Sequence, residues 1–488
     1  MQCLKHGTKA LLALIALIFA GHAGADAGPA VYLLPVVDGS EETRSTPFIA
    51  WFEDLSSVGY VEQEYLLAGE AAVYGYSDTV KSASDIEVVV PAMPYRTRLI
   101  VRRPETASHF NGTVYVEILN ATAGWDGDPT WQNTHDYMMR NGGAYVGITS
   151  KPVSVDFLRD QWGTSSVAAK RDRSRYAALT MPHFGQVWDV ITDTLTLLRA
   201  EGNGSSLLNG FEVTRVILVG YSQSVAFQVT YANHFHQNAL VSGYFLAGGG
   251  EHAKRINRLD GGEELASGHV NNKISVSAPV IRFQTQTEVV GFGAYRVRQH
   301  EPDNAAVRIY EMAGGAHVDV VTAQLGAKTL TRDLALSSYS NGCELAINPL
   351  RIGVVQSALL DVLNQWIDGE PPPKSKMIEL DPQTEEMLLD SAGNAIGGLR
   401  PPALSAPLGQ YLGSNRGGGF CFLIGGFVPF NSQELLARYG NKAVLVDRYR
   451  RAINESVRDR FLLPGDASIL IRELARDLTQ VWPTDALE

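Results

Sequence analysis

Residues 215–224 read RVILVGYSQS. The apolar, β-branched residues Val213 to Val219 predict a buried strand, and a helical pattern follows from Val225 to His234. Gly220 and Ser224 are small residues two positions before and two after Ser222, as the sharp strand-to-helix turn of a nucleophile elbow requires. Serine at 224 departs from the usual glycine. The stretch predicts an α/β fold with Ser222 as nucleophile, the alternative being an ordinary serine at such a turn.

Strands alternate with helices on both sides of this stretch, which predicts a mostly parallel sheet with crossover helices. The predicted strands cover residues 113–119, 144–148, 240–246, 280–284 and 307–312, and the predicted helices end near 141 or cover 187–199 and 352–367. Short apolar runs from 30 to 103 predict an antiparallel β opening. We expect one main domain over 26–370, including a β extension over 26–103. A C-terminal segment, 371–488, ends in two predicted helices, 435–456 and 467–481, and packs on that domain.

A serine hydroxyl needs a general base, and the base needs a carboxylate that orients it. His317 lies in the sequence AGGAHVD, which follows the last predicted strand, where this chain order places the base. Glu288 follows the preceding strand and is the expected acid, with Glu251 and Asp303 as rivals. Asp319 is expected to support the histidine loop.

Acyl transfer also needs two N–H donors for the oxyanion. The backbone of Gln223, directly after the nucleophile, supplies the first in this kind of site. The loop 120–125, which follows the strand 113–119, is expected to supply the second. Ala121 is the candidate within it, although the sequence leaves open which amide of the loop donates.

The composition and the N-terminal residues limit the partners and the cellular location that we expect. The chain has 488 residues and a net charge of −11, with no basic run, which argues against nucleic acid as a partner. Residues 1–25 combine two lysines, a short apolar run and an A-x-A site at 23–25, as in a secretory signal peptide; a retained anchor is the alternative. We therefore expect a periplasmic or secreted protein without stable membrane insertion.

Two cysteines remain after the leader, Cys343 and Cys421. In an oxidising compartment they predict one disulfide, with two unpaired thiols as the alternative. Their spacing does not match a structural zinc site. Neither a metal nor a cofactor is expected.

These motifs together resemble a family of bacterial α/β-hydrolase-domain proteins, from about Tyr95 to the C-terminus. The segments that carry the resemblance are 112–120, 220–224, 287–289, 313–319 and 397–402. The resemblance implies an α/β-hydrolase fold with Ser222 as nucleophile, His317 as base and Glu288 as acid, although aspartate is commoner in the family at the acid position. Within the family, the chain looks most like an amidase that removes phthalyl groups from amides.

A phthalyl-directed amidase would need an apolar slot and a cation for the free aromatic carboxylate. The cation candidates are Arg159, Arg282 and Arg298, and the candidate walls are Trp125, Trp131 and Trp162. For each of them the alternative, which the sequence favours, is an ordinary surface or core residue.

We expect a secreted serine hydrolase that cleaves a small-molecule amide or ester through an acyl-enzyme. The alternatives are a carboxylesterase of the same fold and a non-catalytic exported binding protein. A nicotinamide-dependent dehydrogenase is disfavoured, because the loop beginning at Asn120 lacks a G-x-G-x-x-G motif.

Overall fold

One large twisted sheet organises the chain, as a computed structural model shows. The structure describes residues 28–35, 46–76, 86–162, 175–200, 207–208, 210–256, 270–300, 303–336 and 342–482. The predicted signal peptide lies outside these residues.

Nine strands of the described residues form the main sheet, in the order β1-β2-β3-β5-β4-β6-β7-β8-β9. They are β1 (Ala30–Leu34), β2 (Tyr60–Tyr76), β3 (Ile86–Pro104), β4 (Thr113–Ile118), β5 (Ala144–Ile148), β6 (Arg215–Tyr221), β7 (Gly243–Ala247), β8 (Val280–Thr285) and β9 (Val307–Met312). Strands β1 to β3 pair antiparallel, β3 pairs antiparallel with β5, and the strands from β5 to β9 pair parallel. The predicted antiparallel opening and parallel remainder are both confirmed.

Helices cover both faces of this sheet. They are α1 (Pro129–Arg140), α2 (Pro152–Asp156), α3 (Val187–Arg199), α4 (Gln223–His234), α5 (Val297–His300), α6 (Val320–Leu334), α7 (Ile352–Ile367), α8 (Pro402–Ser405), α9 (Cys421–Ile424), α10 (Ser432–Tyr439), α11 (Lys442–Arg458) and α12 (Pro464–Val481). Alternate residues of β6 enter two separate cores: Val216 and Leu218 pack with α3 and α4, and Ile217 and Val219 pack with α1 and α7. Burial on both faces explains why the central strands are almost continuously apolar.

Strand β6 ends two residues later than the sequence predicts. Gly220 and Tyr221 still pair with Leu246 and Ala247 of β7, so the strand runs directly into the elbow. The sequence prediction ends the strand at Val219 because Gly220 is expected to begin the turn. Ser222 therefore stands at the carboxyl end of the sheet, where ligands bind in open α/β folds.

The C-terminal segment lies against the sheet edge and one of the two cores. Lys376 and Leu399 form parallel bridges to β9 at Tyr310 and Met312. A second sheet, in the order β10-β12-β11, consists of β10 (Ala346–Ile347), β11 (Gly409–Leu412) and β12 (Gly426–Pro429). Helices α10, α11 and α12 add their buried leucines and tyrosines to the core that holds α1 and α7.

The single helix predicted over 435–456 is wrong, because the segment forms two helices, α10 and α11. Gly440 follows α10 with φ +72°, a backbone conformation that glycine adopts without steric cost. Asn441 then begins α11, and its side chain accepts a hydrogen bond from the Val444 N–H. The apolar spacing continues across the break, which hides it from a search for periodicity.

Cys343 and Cys421 form the predicted disulfide, with their Cα atoms 5.4 Å apart. The bond ties the strand region at β10 to the start of α9. No helix in the described ranges has both the length and the apolar character to cross a bilayer.

Candidate active site

Ser222 occupies a turn that few side chains adopt. It has φ +57° and ψ −122°, outside the usual regions for a residue with a Cβ atom, and it directly precedes α4. Its N–H donates to the Ala247 carbonyl at 2.8 Å. A Cβ atom at Gly220 would lie 2.5 Å from Gln228 Oε1, so any larger residue would displace the buried Gln228 side chain. This strain at a strand-to-helix turn is the geometry of a nucleophile elbow.

Both the ring and the backbone of His317 are held by neighbouring residues. Its Nδ1 lies 2.6 Å from Glu288 Oε1, and its backbone N–H donates to Thr287 Oγ1 at 2.9 Å. The Tyr221 hydroxyl donates to its carbonyl at 2.5 Å. The ring also packs against Tyr221 and Phe292. The loop glycines at 314 and 315 therefore carry a fixed histidine.

Glu288 is fully buried in a π-helical turn, Thr287–Gly291, directly after β8. Its second oxygen, Oε2, accepts hydrogen bonds from the N–H and the hydroxyl of Thr285, the latter at 2.8 Å. Such π turns are frequent at functional sites. The structure thus brings Glu288 to the histidine, and its carboxylate reaches Nδ1 from the π-helical turn.

The other carboxylates lie elsewhere. Asp303 accepts from the Ser375 N–H at 3.2 Å, at the opposite end of the sheet. Asp319 caps α6 through the Thr322 N–H and also accepts from the Ile352 N–H at 2.8 Å, which links the histidine loop to α7. Glu251 is buried after β7. Among these carboxylates, Glu288 is the one the structure pairs with His317.

One amide of the loop after β4 points to the elbow. The Asn120 N–H donates to the Gly127 carbonyl and the Thr122 N–H to Asn120 Oδ1, both at 2.9 Å, so both are satisfied within the loop. The Ala121 N–H instead donates across the site to Gln223 Oε1 at 3.3 Å. Ala121 is therefore the loop donor best placed to act with the Gln223 amide at the N-terminus of α4.

Ser222 and His317 line the same cavity, which has a volume of about 160 Å³. Its walls are mainly apolar and include Trp125, Val318, Ala323, Phe420 and Leu423. Besides Ser222 and His317, the polar residues that line it are uncharged: Asn120, Thr122, Gln132, Asn133, Tyr221 and Thr322. Within the described part of the chain, no Asp, Glu, Lys or Arg lines the cavity.

The predicted substrate cations do not reach this cavity. Arg159 pairs with Asp156 and Asp160 near the surface, and Arg298 pairs with Glu311. Arg282 is buried in β8. Sequence position alone could not show that these side chains point away from the elbow.

Of the three predicted aromatic walls, only Trp125 lines the cavity. Trp131 packs over Arg102 and Tyr145, and Trp162 packs on Phe48 and Tyr176. Trp131 and Trp162 are core residues, the alternative stated for each candidate, because both rings face the interior.

Comparison with known proteins agrees with this geometry. Residues 29–472 match the model of a family described as "Alpha/beta hydrolase domain". The chain belongs to this family. It is therefore an α/β hydrolase by family and by fold, as the motifs around Ser222 and His317 predict. No curated protein matches the chain.

Several solved structures are partly similar to this chain. An α/β serine hydrolase homologue from Coxiella burnetii is 9% identical and covers 50% of this chain and 92% of its own, with a TM-score of 0.29. Esterase 2 of Thermogutta terrifontis is 10% identical over 49% and 83%, with a TM-score of 0.27. Glucuronoyl esterase from Solibacter usitatus is 10% identical over 59% and 81%, with a TM-score of 0.29.

Sequence reasoning missed the part that the C-terminal segment of this α/β hydrolase plays in the site. Phe420 and Leu423 line the cavity, and the Leu423 carbonyl accepts from the Val318 N–H at 2.9 Å. The Phe422 ring packs on Phe292, which itself contacts His317. The only sequence signal was Cys421, whose disulfide holds this wall.

Removing the disulfide should loosen that wall. For a Cys343→Ser/Cys421→Ser variant we expect a lower melting temperature, because a cross-link over 78 residues stabilises by about 4 kcal/mol in the chain-entropy model. We also expect a higher KM for apolar substrates, since Phe420 and Leu423 lose their anchor. Calorimetry and ester kinetics check both effects, and an unchanged KM would show that the wall holds without the bond.

Proposed function

We propose that this α/β hydrolase cleaves esters of short, uncharged acyl groups through an acyl-enzyme on Ser222. The observation that carries the proposal is the contact of His317 Nδ1 with Glu288 Oε1 at 2.6 Å, beside a nucleophile elbow that opens into an apolar cavity. Ser222, Glu288 and His317 follow the chain order nucleophile, acid, base that is typical of this fold. A non-catalytic binding protein would have no need for this strained turn and buried pair.

The reaction proceeds in two matched halves. His317 takes the hydroxyl proton of Ser222 as its Oγ attacks the substrate carbonyl, and the N–H groups of Gln223 and Ala121 stabilise the oxyanion. Collapse breaks the ester C–O bond, and His317 returns the proton to the leaving alkoxide. Water then attacks the acyl-enzyme in the same way and releases the acid and free Ser222. Glu288 holds Nδ1–H throughout, so that Nε2 faces the reacting atoms.

Amide hydrolysis passes through the same intermediate, and the family resemblance extends to phthalyl amides. The uncharged lining argues against that substrate, because within the described ranges no cation lines the cavity to pair with the free carboxylate of a phthalyl group. We therefore rank neutral esters first.

A matched substrate panel tests this ranking. We expect kcat/KM for p-nitrophenyl acetate and butyrate to exceed that for a 2-carboxybenzoyl p-nitroanilide by about 100-fold or more, as an unpaired buried charge costs a few kcal/mol. A benzoyl p-nitroanilide without the carboxylate separates the effect of charge from that of the amide bond. Preference for the carboxylated anilide would replace this proposal with a phthalyl-directed amidase.

Export is the second part of the proposal. The basic, apolar and small-residue leader and the Cys343–Cys421 disulfide support it. We expect the protein recovered from the periplasm or medium of a bacterial host to begin at Asp26, as N-terminal sequencing would show. Recovery of the full-length chain in the membrane fraction would favour a retained anchor.

A further inference from the structure

A lysine is buried directly beneath the elbow. Lys151, three residues beyond the end of β5, is 2% exposed, and its Nζ donates to the Leu119 carbonyl and to Ser224 Oγ, the latter at 3.1 Å. Ser224 Oγ is also 3.4 Å from the Leu119 carbonyl. Among the described residues, Lys151 forms no ion pair with a carboxylate. A buried lysine without a counter-ion is costly, which calls for a functional reason.

Its two partners belong to the two halves of the oxyanion site. Leu119 directly follows β4 and leads into the loop of Ala121, and its carbonyl is two residues before the Ala121 N–H. Ser224 lies in the first turn of α4, one residue after Gln223. A single ammonium group thus bridges the strand before one donor and the helix that carries the other.

We propose that Lys151 is a positioning residue that sets the separation of the two oxyanion donors, and that Ser224 is present at the last elbow position to bind it. The inference rests on the proposed function, because it assumes that Ser222 forms an oxyanion intermediate. It also accounts for the departure from the usual glycine: glycine would leave Nζ with Leu119 alone.

The charge state of Lys151 should matter. Burial lowers its pKa to about 7, with Asp126 and Glu117 opposing this effect and Lys254 adding to it. The Phe227 ring is the remaining close neighbour, with its centroid 4.8 Å from Nζ. The protonated amine makes a charge-assisted hydrogen bond to Leu119, roughly twice as strong as a neutral one. Acylation should therefore weaken as the pH rises through about 7 and the proton is lost.

A fluorophosphonate probe measures this without a known substrate. Ser222 Oγ forms a bond to phosphorus, fluoride leaves with the P–F bonding pair, and His317 accepts the hydroxyl proton, so the labelling rate depends on the oxyanion donors. The full mature chain is labelled between pH 6 and 9 beside Lys151→Met, Ser224→Ala and Lys254→Met variants. Ser222→Ala shows whether labelling depends on Ser222.

We expect Lys151→Met to label at least 10-fold more slowly and to lose the decline above pH 7, while its melting temperature stays or rises because a buried charge is removed. Ser224→Ala removes a hydrogen bond to the charged form, so the decline moves to lower pH. Lys254→Met removes a neighbouring positive charge, so the decline moves to higher pH. These opposite shifts distinguish positioning through charge from a merely structural role.

Glu117 needs its own variant, because burial and the nearby Asp128 raise its pKa to about 7 as well. If Glu117→Gln removes the decline and Lys151→Met keeps it, the proposal is overturned. Labelling of Lys151→Met within twofold of the unaltered chain overturns it too. If Lys151→Met does not fold, Ser224→Ala provides the test. A Ser224→Ala variant with an unchanged labelling rate and an unchanged pH profile also overturns the proposal. Labelling that persists in Ser222→Ala would instead remove the proposed function, and this inference with it.

Discussion

Replacing Ser222 with alanine is expected to lower kcat for p-nitrophenyl acetate by about 10³- to 10⁶-fold. The Ser222 hydroxyl carries the acyl intermediate in the proposed mechanism, and the variant retains just the oxyanion donors and the cavity. Alanine also tolerates the φ of +57° poorly, but its small side chain fits the space of serine. Steady-state kinetics and a pre-steady-state burst of p-nitrophenol, seen only with serine, measure the loss.

A matched control uses an exposed serine far from the cavity. Ser57 lies in the turn after Asp54, and its hydroxyl contacts only the Asp54 carbonyl. Ser57→Ala should keep full activity. Turnover that survives in Ser222→Ala, with an unchanged burst, would mean that another nucleophile acts in this chain.

Replacing Glu288 with glutamine is the second large effect, an expected loss of about 10²- to 10⁴-fold in kcat with a small change in KM. Glutamine keeps the shape but can present its NH₂ group to Nδ1, which favours the tautomer with its proton on Nε2. That tautomer cannot take the Ser222 proton. The imidazolium formed during the reaction also loses its buried counter-charge. The kcat of the purified variant, together with an unchanged fold by circular dichroism, measures this effect.

The two rival carboxylates supply the controls. Asp303→Asn changes a group that binds Ser375, and Glu251→Gln changes a buried group after β7; both should retain activity within a few-fold. Glu288→Asp should retain partial activity, because a side chain one methylene shorter no longer reaches Nδ1 from the π turn without a shift. A greater loss in either rival than in Glu288→Gln would reassign the acid.

Local patterns predicted those parts of the fold whose cause is local. The bounds of β5, α3, β9 and α7 match the predictions to the residue, because each element is a distinct stretch with the apolar pattern of its own secondary structure. The elbow and the histidine loop were readable for a similar reason. Steric demand leaves glycine or serine at fixed offsets from Ser222, and the chain order then places His317 after the last strand.

Contacts between distant segments could not be predicted in this way. Glu251 and Glu288 both follow strands of the parallel sheet, and only the π turn after β8 decides which carboxylate meets His317. The arginines considered as partners for a substrate carboxylate lie away from the cavity for the same reason, because position in the sequence does not give the direction of a side chain. Lys151 gave no signal because its partners, Leu119 and Ser224, are 32 and 73 residues away.

The wall that the disulfide holds has a consequence for the order in which the protein matures. Ser222, Glu288 and His317 are all synthesised before the second cysteine, yet Phe420 and Leu423 complete their cavity. A nascent chain that already contains Ser222, Glu288 and His317 therefore lacks one wall of the cavity until residues up to 424 have emerged. If the chain is exported, oxidation of the Cys343–Cys421 pair completes the site on the far side of the membrane. Esters inside the producing cell would then meet an unfinished enzyme.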